Sequence, residues 1–476
     1  MPLQRAVMDP AGSNTVGEVA RIDLSVVIPA LGESENLSLL LPELRGVLSS
    51  LCVRFEILVV TSPEDAATAR AATAAGARAI LQTERGYGGA LLAGFAAASG
   101  AHILTMDSDL SHPAPFVREI WQGRTRAEVV IASRYTAGGR AQMPRGRLLL
   151  SKILNGVFSR GLSLAVGDMS SGFRLYRAEA VQGQAFVGRD FDILQEILVR
   201  AFAEGWRVTE VPFHYRPRQH GRSHARVLKF GAAYLRKFWP LWKLRNSIEC
   251  ADYDARAYDS AVWLQRYWQR RRFAYIRDLI AGEGPVLDVG CGSSRLIGAL
   301  PAGSLAIDIL LRKLRYARRF NCHLALGSAL AIPVRDEAFS AVLCSQVIEH
   351  IPKDSGVLGE LCRVLAPGGL LVLGTPDYDR WQWVLIEKAY GLFAPGGYAD
   401  EHIAHYGFDE LVRFFTGRGY RFEASHYIMK GELILAFRKP LAGLNEGGDT
   451  GRLLDGTRSA GYPSSLPQGS RVGTRS

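Results

Sequence analysis

Short apolar runs alternate with helix-like stretches along the first half of the chain. Five runs have the length and composition of buried strands, at residues 24–30, 55–60, 77–81, 101–107 and 127–133. The stretches between them are amphipathic or rich in alanine. One of these is ENLSLLLPELRGVLSSL, in which Asn36 and Ser38 are candidate helix caps. Strands that alternate with helices predict a mostly parallel sheet with helices on both faces.

The same alternation starts again in the second half of the chain. Apolar runs at residues 286–290, 305–309, 339–345, 368–374 and 432–438 predict a second doubly wound sheet. Between the two series the pattern becomes helical, basic and aromatic. The sequence therefore predicts three consecutive parts, which are a first α/β domain at 22–225, a helical linker at 226–280 and a second α/β domain at 281–440.

The two ends of the chain have too few apolar residues to fold alone. Residues 1–21 predict a disordered leader, and the Gly-, Ser- and Arg-rich residues 441–476 predict a disordered tail. The leader has no apolar core of signal-peptide length. The longest uncharged run, residues 86–106, fits a helix and a strand better than a membrane span. We expect a cytoplasmic protein without an integral membrane anchor.

Charge is unevenly distributed along a chain whose formal net charge is +11. Residues 211–248 contain no Asp or Glu, and aromatic residues are interleaved with the cations. The nine cations of this stretch are Arg216, Arg218, Arg222, Arg226, Lys229, Arg236, Lys237, Lys243 and Arg245. Such a stretch suits either a nucleic acid or an anionic membrane surface.

The six cysteines are scattered, and no two have the spacing of a zinc or redox motif. We expect neutral thiols in a reducing compartment and no disulfide framework.

Asp107 and Asp109 follow the fourth predicted strand as Asp-Ser-Asp. The carboxyl ends of parallel strands face the ligand crevice of such a sheet. Two neighbouring carboxylates repel each other unless a cation lies between them, and Mg²⁺ or Mn²⁺ can then bridge to a diphosphate. The alternative is an acidic turn on the surface, which is the commoner meaning of this motif alone.

Five segments in order place Asp107 and Asp109 in a larger pattern. They are VVIPALGESEN (26–36), ERGYGGALLAGFAAASG (84–100), the stretch 107–113, IASRY (131–135) and DMSSGFRLYR (168–177). Together they resemble the GT-A glycosyltransferases of family 2, most closely the dolichyl-phosphate mannosyltransferase-like group. The resemblance covers about residues 22–245 and implies a GT-A (nucleotide-diphospho-sugar transferase) domain.

The resemblance implies a role for each matching position. Pro29, Ala30 and Glu33 are assigned to the base of the nucleotide-sugar, and Asp107 and Asp109 to the metal and the diphosphate. Arg134 is assigned to a phosphate, and Arg147 and Ser151 to the acceptor phosphate. The loop over the diphosphate corresponds to Arg218, Gly221 and Ser223. Arg134 would also meet the acceptor phosphate. A lipid phosphate is already anionic, so arginines and a metal matter more than a general base. Attack from the opposite face would invert the anomeric centre.

Three positions depart from the family pattern. The second strand is followed by Thr61 where relatives carry an acid, and Asp65 is the candidate substitute. Ser111 stands where Gln is frequent, and His224 stands where the loop usually ends in Lys. The lost acid keeps open a non-catalytic alternative, a membrane-associated scaffold with one degenerate domain.

VLDVGCGSS (286–294) is a strand followed by a glycine-rich turn, and Asp308 follows it at the end of the next strand. An acid there can bind ribose hydroxyls, so NAD and S-adenosylmethionine (SAM) are both candidates. Three features together resemble class I SAM-dependent methyltransferases, over about residues 255–438. They are the acid inside the D-x-G-x-G strand, FSAVLCSQVIEHIP (339–352) and LCRVLAPGGLLVLGTPD (361–377). The resemblance implies a Rossmann-like fold.

The second resemblance also implies a role for each matching position. Asp288, Gly290 and Gly292 would hold the methionine part of SAM and Asp308 its ribose, while Ser345, Gln346, Glu349 and His350 would lie at the mouth of the site. His350 is either a catalytic base or a positioning residue, and His402 and His405 are weaker acceptor-side candidates. Ser294 and Ser328 replace a loop glycine and an adenine-contacting acid of the family.

The two resemblances together predict a bifunctional enzyme on the inner membrane face. It would transfer a sugar from a nucleotide-sugar to a lipid phosphate such as polyprenyl phosphate, and would methylate a sugar or lipid with SAM. A glycan or glycolipid acceptor is the alternative. The basic stretch is assigned to an anionic membrane surface, and no nucleic-acid partner is expected.

Overall fold

The computed structural model describes residues 22–215, 227–393 and 402–441, except the side chains of Arg147 and of residues 227–235 and 389–393. The predicted leader, the tail from 442 onward, and the loop residues Arg218, Gly221 and Ser223 lie outside the described residues.

The first domain is built on a seven-stranded sheet with the order β3-β2-β1-β4-β7-β5-β8. Its strands are β1 (Leu24–Pro29), β2 (Phe55–Thr61), β3 (Arg78–Leu81), β4 (His102–Thr105), β5 (Val129–Ser133), β7 (Arg174–Arg177) and β8 (Val208–Pro212), with a separate pair β6 (Arg140–Ala141) and β9 (His214–Tyr215). Strand β7 is antiparallel to both of its neighbours, and the other pairings in the sheet are parallel.

Helices cover both faces of this sheet. They are α1 (Ser34–Ser50), α2 (Ala66–Ala74), α3 (Gly86–Ala97), α4 (Val117–Gln122), α5 (Arg145–Gly161) and α6 (Ile193–Ala203). Alternate strand residues face opposite sides, so Val26 and Ile28 pack under α1 while Val27 packs under α3. Helix α1 begins at Ser34, so the prediction that Asn36 and Ser38 cap it is wrong: both lie inside its first turns.

The second domain also contains a seven-stranded sheet, with the order β12-β11-β10-β13-β14-β16-β15. Its strands are β10 (Val286–Val289), β11 (Leu305–Asp308), β12 (His323–Leu326), β13 (Phe339–Ser345), β14 (Leu365–Pro376), β15 (Arg421–Ile428) and β16 (Glu432–Arg438). Strand β16 is antiparallel to β14 and β15, and the remaining pairs are parallel.

The helices after the first sheet are α7 (Val227–Asn246), α8 (Tyr253–Tyr258), α9 (Trp263–Leu279), α10 (Leu311–Ala317), α11 (Val357–Val364), α12 (Trp381–Phe393) and α13 (Phe408–Thr416). Within the described ranges, none of the helices combines the length and apolarity that a bilayer crossing requires.

Helix α9 covers one face of the second sheet. Ile276 and Ile280 pack in the same buried cluster as Val286 and Leu370. The Arg272 guanidinium also forms an ion pair, 2.5 Å long, with the buried Glu432 carboxylate of β16. Part of the segment predicted as a linker is thus packed against the second sheet.

A buried ion pair joins the two domains. The Arg245 side chain, at the end of α7, is fully buried and donates to the Asp252 carboxylate at 2.7 and 2.8 Å. Its other donors reach the carbonyl oxygens of Leu162 and Ser163, just after α5. Burial alone would raise the pKa of Asp252, but the hydrogen bonds and charge of Arg245 lower it to about 2.

A second set of contacts lies beside this pair. Arg312 and Arg315 of α10 both form ion pairs with Glu204 of the first domain, and the Arg315 guanidinium lies 4.3 Å from the centre of the Trp206 ring. Gly205 has a positive φ of 79°, and a Cβ atom there would lie 2.5 Å from the Arg312 carbonyl oxygen. Glycine is therefore needed for this close approach.

We expect Asp252→Asn to lower the free energy of unfolding by about 3–5 kcal/mol, because it leaves the buried Arg245 charge without its counter-charge. Chemical or thermal unfolding of the full chain measures this. The matched control is Glu179→Gln, since Glu179 pairs with Arg177 where both side chains are about half exposed; its effect should stay within about 1 kcal/mol. Equal effects of the two changes would contradict the role of the buried Arg245–Asp252 pair in stabilising the fold.

Candidate functional site

The end of β1 and the residues after β4 meet at the carboxyl edge of the first sheet, since the two strands are parallel neighbours. The Ser108 hydroxyl donates to the Pro29 carbonyl oxygen at 3.2 Å. The structure thus brings the predicted nucleotide segment, Pro29 and Ala30, beside the predicted metal site, Asp107 and Asp109.

Asp107 lies beside two ring side chains, the buried His112 and the partly buried Tyr87. Its backbone N–H donates to Nδ1 of His112 at 2.9 Å, and Nε2 of that ring is 3.7 Å from the Asp107 carboxylate. Burial lowers the pKa of His112, so the ring is neutral and carries its proton on Nε2, towards Asp107. Burial and the Asp107 carboxylate raise the pKa of Tyr87. A Cβ atom at Gly172 would lie 2.5 Å from the Tyr87 hydroxyl, which explains the glycine.

Asp109 is more enclosed than Asp107. Its residue is 4% exposed, and one carboxylate oxygen accepts hydrogen bonds from the backbone N–H and the hydroxyl of Ser111, at 3.1 and 2.5 Å. Ser111, one of the departures from the family pattern, therefore orients Asp109.

Asp65 contacts the loop that follows β1. One carboxylate oxygen accepts a hydrogen bond from the Gly32 backbone N–H at 2.6 Å, and the other caps α2 through the Thr68 N–H at 3.1 Å. The Glu33 N–H donates to the Thr68 hydroxyl at 3.2 Å. Asp65 therefore lies at the nucleotide segment although the position of the usual acid is Thr61.

Arg134 is held by a buried carboxylate. Its Nε and Nη2 atoms donate to the two Asp168 oxygens, both at 2.7 Å, and Nη2 also donates to Ser170 at 2.7 Å. Burial would lower the pKa of Arg134, but Asp168 raises it above its ordinary value. The guanidinium is permanently charged and fixed in direction, with Nη1 as the donor that could meet a phosphate.

Ser151 of α5 belongs to the same hydrogen-bond network. Its hydroxyl accepts from the Tyr135 hydroxyl at 2.7 Å, and Asn155 donates to its carbonyl oxygen at 2.8 Å. Asn155 also donates to Ser170, which accepts from Arg134. The structure therefore connects Ser151 to Arg134. The side chain of Arg147 lies outside the described residues.

The carboxylates of Asp107 and Asp109 are suited to bind a divalent cation that also contacts a diphosphate. Asp107 presents a carboxylate that is 33% exposed at the sheet edge, and Asp109 is oriented beside it by Ser111. Carboxylate oxygens are the ligands that Mg²⁺ and Mn²⁺ prefer.

A cavity of about 630 Å³ lies at the carboxyl ends of β10, β11 and β13. It is lined by the residues predicted for the cofactor and for the site mouth, Asp288, Gly290, Gly292, Asp308, Ser345 and His350. Gly290 has a positive φ of 74°, and a Cβ atom there would lie 2.2 Å from Val347. The glycine loop is thus tightly packed against the residues after β13.

Asp308 and Asp254 hold the glycine loop from two sides. Asp308 accepts a hydrogen bond from the Gly292 N–H at 2.8 Å. Asp254 of α8 accepts from the N–H and the hydroxyl of Ser293 at 3.0 and 2.9 Å and forms an ion pair with Lys313 at 2.9 Å. Asp254 also lines the cavity.

Two carboxyl groups in the cavity have shifted pKa values. Burial and, secondly, the nearby Asp308 raise the pKa of Asp288 to about 7. Burial also raises the pKa of Asp308. Both shifts indicate a site that favours a bound positive charge.

One of the predicted acceptor residues lines the cavity, and others lie beside it. His350 lines it, and the ring centres of His350 and His402 are 4.9 Å apart. Glu349 is fully buried, and its burial raises its pKa to about 8. His405 stacks on Tyr378 with ring centres 4.0 Å apart.

The cavity fits SAM. Its size suits a cofactor, its acids suit a ligand with a sulfonium and an ammonium group, and Ser345 Oγ and Gln346 Nε2 are buried without a hydrogen-bond partner in the described part of the chain. These two polar atoms are suited to a ligand that donates and accepts hydrogen bonds.

Three side chains at the two sites were not assigned roles from the sequence. His112 and Asp168 lie within the quoted motifs, and their positions beside Asp107 and Arg134 could have suggested a supporting role. Asp254 lies in the predicted linker, and no local pattern connects it to Ser293, 39 positions away.

Comparison with known proteins identifies a family for each of the two domains. The family described as Glycosyl transferase family 2 matches residues 25–183, and the family described as Methyltransferase domain matches residues 287–373. The GT-A-like first domain and the Rossmann-like methyltransferase domain predicted from the sequence are confirmed.

Several relatives resemble the first half of the chain. A dolichol-phosphate mannosyltransferase from Pyrococcus furiosus is 32% identical over 235 residues, which cover 48% of this chain and 65% of that protein. The chain thus spans slightly less than two thirds of the length of this relative. A polyprenol monophosphomannose synthase from Mycolicibacterium smegmatis is 31% identical over 216 residues, covering 42% and 79%. An uncharacterised glycosyltransferase from Mycobacterium tuberculosis is 30% identical over 204 residues, covering 42% and 88%.

The ordered motifs, the site at the edge of the first sheet and these matches lead to one conclusion: the chain belongs to glycosyltransferase family 2 through its first domain and carries a methyltransferase domain behind it.

Proposed function

We propose that the first domain transfers a hexose from a nucleotide-sugar to a lipid phosphate of the polyprenyl type, with inversion, and that the second domain methylates a sugar or lipid with SAM. One observation carries the proposal: two carboxylates and the fixed guanidinium of Arg134 lie in a chain whose relatives are named for polyprenyl- and dolichol-phosphate mannosyl transfer.

The residues of the first site would divide the work between donor and acceptor. Asp107 and Asp109 would hold Mg²⁺ or Mn²⁺, which neutralises the diphosphate as it leaves. Pro29, Ala30 and Glu33 would contact the nucleotide, assisted by Asp65. Arg134 and Ser151, in one hydrogen-bond network, would orient the acceptor phosphate, together with Arg147. Arg218 and Ser223 would cover the diphosphate.

The second site would orient SAM for in-line attack. Asp288 would face the methionine ammonium group and Asp308 the ribose hydroxyls, while the glycine loop admits the ligand close to the backbone. SAM supplies an activated methyl group. The acceptor would enter at the His350 end of the cavity.

An exposed apolar row on α5 supports contact with a membrane surface. Leu149, Ile153 and Val157 are spaced four residues apart and are 62%, 52% and 60% exposed. Helix α5 has no acidic residue, and neither does α7, on which Trp239 is 53% exposed. Apolar side chains among cations suit an anionic lipid surface, and α5 carries Ser151 of the acceptor site.

We expect Asp107→Asn to reduce sugar transfer at least about 100-fold, because the diphosphate loses its cation. The assay is mass spectrometry of lipids after incubation with polyprenyl phosphate, mixed nucleotide-sugars, Mg²⁺ and SAM, each omitted in turn. Asp278→Asn, an exposed residue of α9, is the matched control. Transfer retained in the Asp107 variant would exclude the metal assignment.

The same assay separates the alternatives. A lipid that gains a hexose supports the lipid-phosphate acceptor, and a further methyl group that requires SAM connects both domains to one product. Transfer only to an added glycan or glycolipid would identify that molecule, and not the lipid phosphate, as the acceptor. No turnover by either domain would favour the alternative of a membrane-associated scaffold.

We expect SAM to bind more tightly as the pH rises from about 5 to about 7. Below about 7 the Asp288 carboxyl is protonated in the free protein, and the cationic ligand favours the carboxylate, so binding releases a proton. The gain approaches about tenfold per pH unit. Titration calorimetry at several pH values measures it, and Asp288→Asn should flatten the profile. Affinity that falls over this range would contradict the role of Asp288.

We expect the triple change Leu149→Ser, Ile153→Ser and Val157→Ser to lower binding to anionic vesicles at least about tenfold, since each side chain contributes on the order of 1 kcal/mol or more when buried in the interface. Vesicle co-sedimentation measures it. The control is Val187→Ser, which alters a similarly exposed apolar residue in a loop outside α5. Equal binding by all three proteins would exclude α5 as the membrane-contacting helix.

A further inference from the structure

Three side chains with metal-binding atoms converge beside the cavity, at the point where His350 lines it. Glu349, His350 and His402 each offer one carboxylate oxygen or ring nitrogen, and these three atoms lie within 4.8 Å of one another. Ligand atoms around a tetrahedral zinc ion lie about 3.3 Å apart, as follows from metal–ligand distances of about 2.0–2.1 Å. Small side-chain rotations would therefore close the three around one ion.

The fold itself brings these residues together. Glu349 and His350 lie in a short 3₁₀ turn (Ile348–His350) just after β13. His402 comes from a separate segment, and that segment is fixed to the turn by its backbone: the N–H groups of Ile403 and Ala404 donate to the Glu349 carbonyl oxygen at 2.9 and 3.0 Å. The cluster is thus held by main-chain hydrogen bonds rather than by chance side-chain positions.

His402 is oriented in the way that metal-binding histidines are oriented. Its Nδ1 atom lies 2.7 Å from the Tyr378 hydroxyl and 3.3 Å from a carboxylate oxygen of Glu387. A carboxylate on one ring nitrogen fixes the ring and makes the other nitrogen a better ligand. Nε2 is the nitrogen that we assign to the ion.

Glu349 is the acidic residue of the cluster. Its residue is 0% exposed, and neither carboxylate oxygen has a hydrogen-bond donor among the described residues. Both oxygens are therefore available to a ligand, and a cation bound between Glu349 and the two imidazoles would stabilise the ionised carboxylate at this depth.

We propose that Glu349, His350 and His402 bind one divalent transition-metal ion, of the Zn²⁺ class, at the methyl-acceptor end of the cavity. Two imidazoles and one carboxylate form a ligand set that zinc accepts, with a further position left for an exogenous ligand. His350 lines the cavity together with Asp288 and Asp308, so this position would face the acceptor. An ion there lowers the pKa of a hydroxyl bound to it. The inference rests on the proposed methyl transfer, and its acceptor would be a hydroxyl.

The test measures metal content rather than turnover. The full chain is stripped with a chelator, reloaded with Zn²⁺ without nucleotide, dialysed and analysed by elemental mass spectrometry. Wild type should retain about one zinc ion per chain. Glu349→Gln and His402→Asn should each lower zinc affinity at least about tenfold. The control that should match wild type is His323→Asn, an exposed histidine of β12.

A second measurement needs no variant. Co²⁺ added to the stripped wild type should give the intense visible absorption of a low-coordinate ion with nitrogen ligands, unlike an ion held by carboxylates and water. The proposal is overturned if wild type retains no zinc and lacks this spectrum. It is also overturned if the Glu349 and His402 variants retain as much zinc as wild type. SAM binding by calorimetry is scored separately: its absence in wild type removes the proposed methyl transfer, whereas SAM binding without zinc removes only the metal site.

Discussion

The two domains depend on one buried charge, the guanidinium of Arg245. It donates to the carbonyl oxygens just after α5, inside the first domain, and to the Asp252 carboxylate that precedes α8, so one side chain ties the first domain to the helical segment before the second sheet. A buried cation is tolerated only where its donors are satisfied and its charge is compensated. Two positions after Asp252, Asp254 accepts a hydrogen bond from Ser293 of the glycine loop. The position of the glycine loop is therefore set partly from the junction.

Buried charges in this chain fall into two groups with different consequences. Arg134 with Asp168, and Arg272 with Glu432, are compensated pairs that fix a loop or a helix. Asp288 forms no such pair within the described residues, and burial raises its pKa to about 7. Compensated charge pairs fix the geometry of the sites. A buried acid without a counter-charge instead favours the binding of a cationic ligand, because the ligand stabilises the carboxylate form. This difference separates the arginine cluster of the first domain from the cavity of the second.

The apolar pattern was sufficient for most of the sheets. The run at 55–60 corresponds to Phe55–Thr61, and the run at 432–438 to Glu432–Arg438. Strands β7 and β8 of the first sheet and β12 and β15 of the second were not predicted. In β7, Arg174–Arg177 carries two arginines and is stabilised by tertiary contacts rather than by local periodicity. Motif order identified Asp107, Asp109, Asp288 and Asp308 from the sequence. Contacts such as Asp65 to Gly32 and Asp254 to Ser293 join distant positions, so they could be seen only once the chain was folded.

The connection between the domains also limits how a product can pass from one to the other. Helix α7 ends at Asn246 and α8 begins at Tyr253, and the short stretch between them contains Asp252, which is anchored to Arg245. A tether this short and anchored cannot carry a bound intermediate across, as a swinging arm does. A molecule modified at both sites would have to leave one and diffuse to the other, and a lipid that diffuses in the plane of a bilayer would stay close enough to be recaptured.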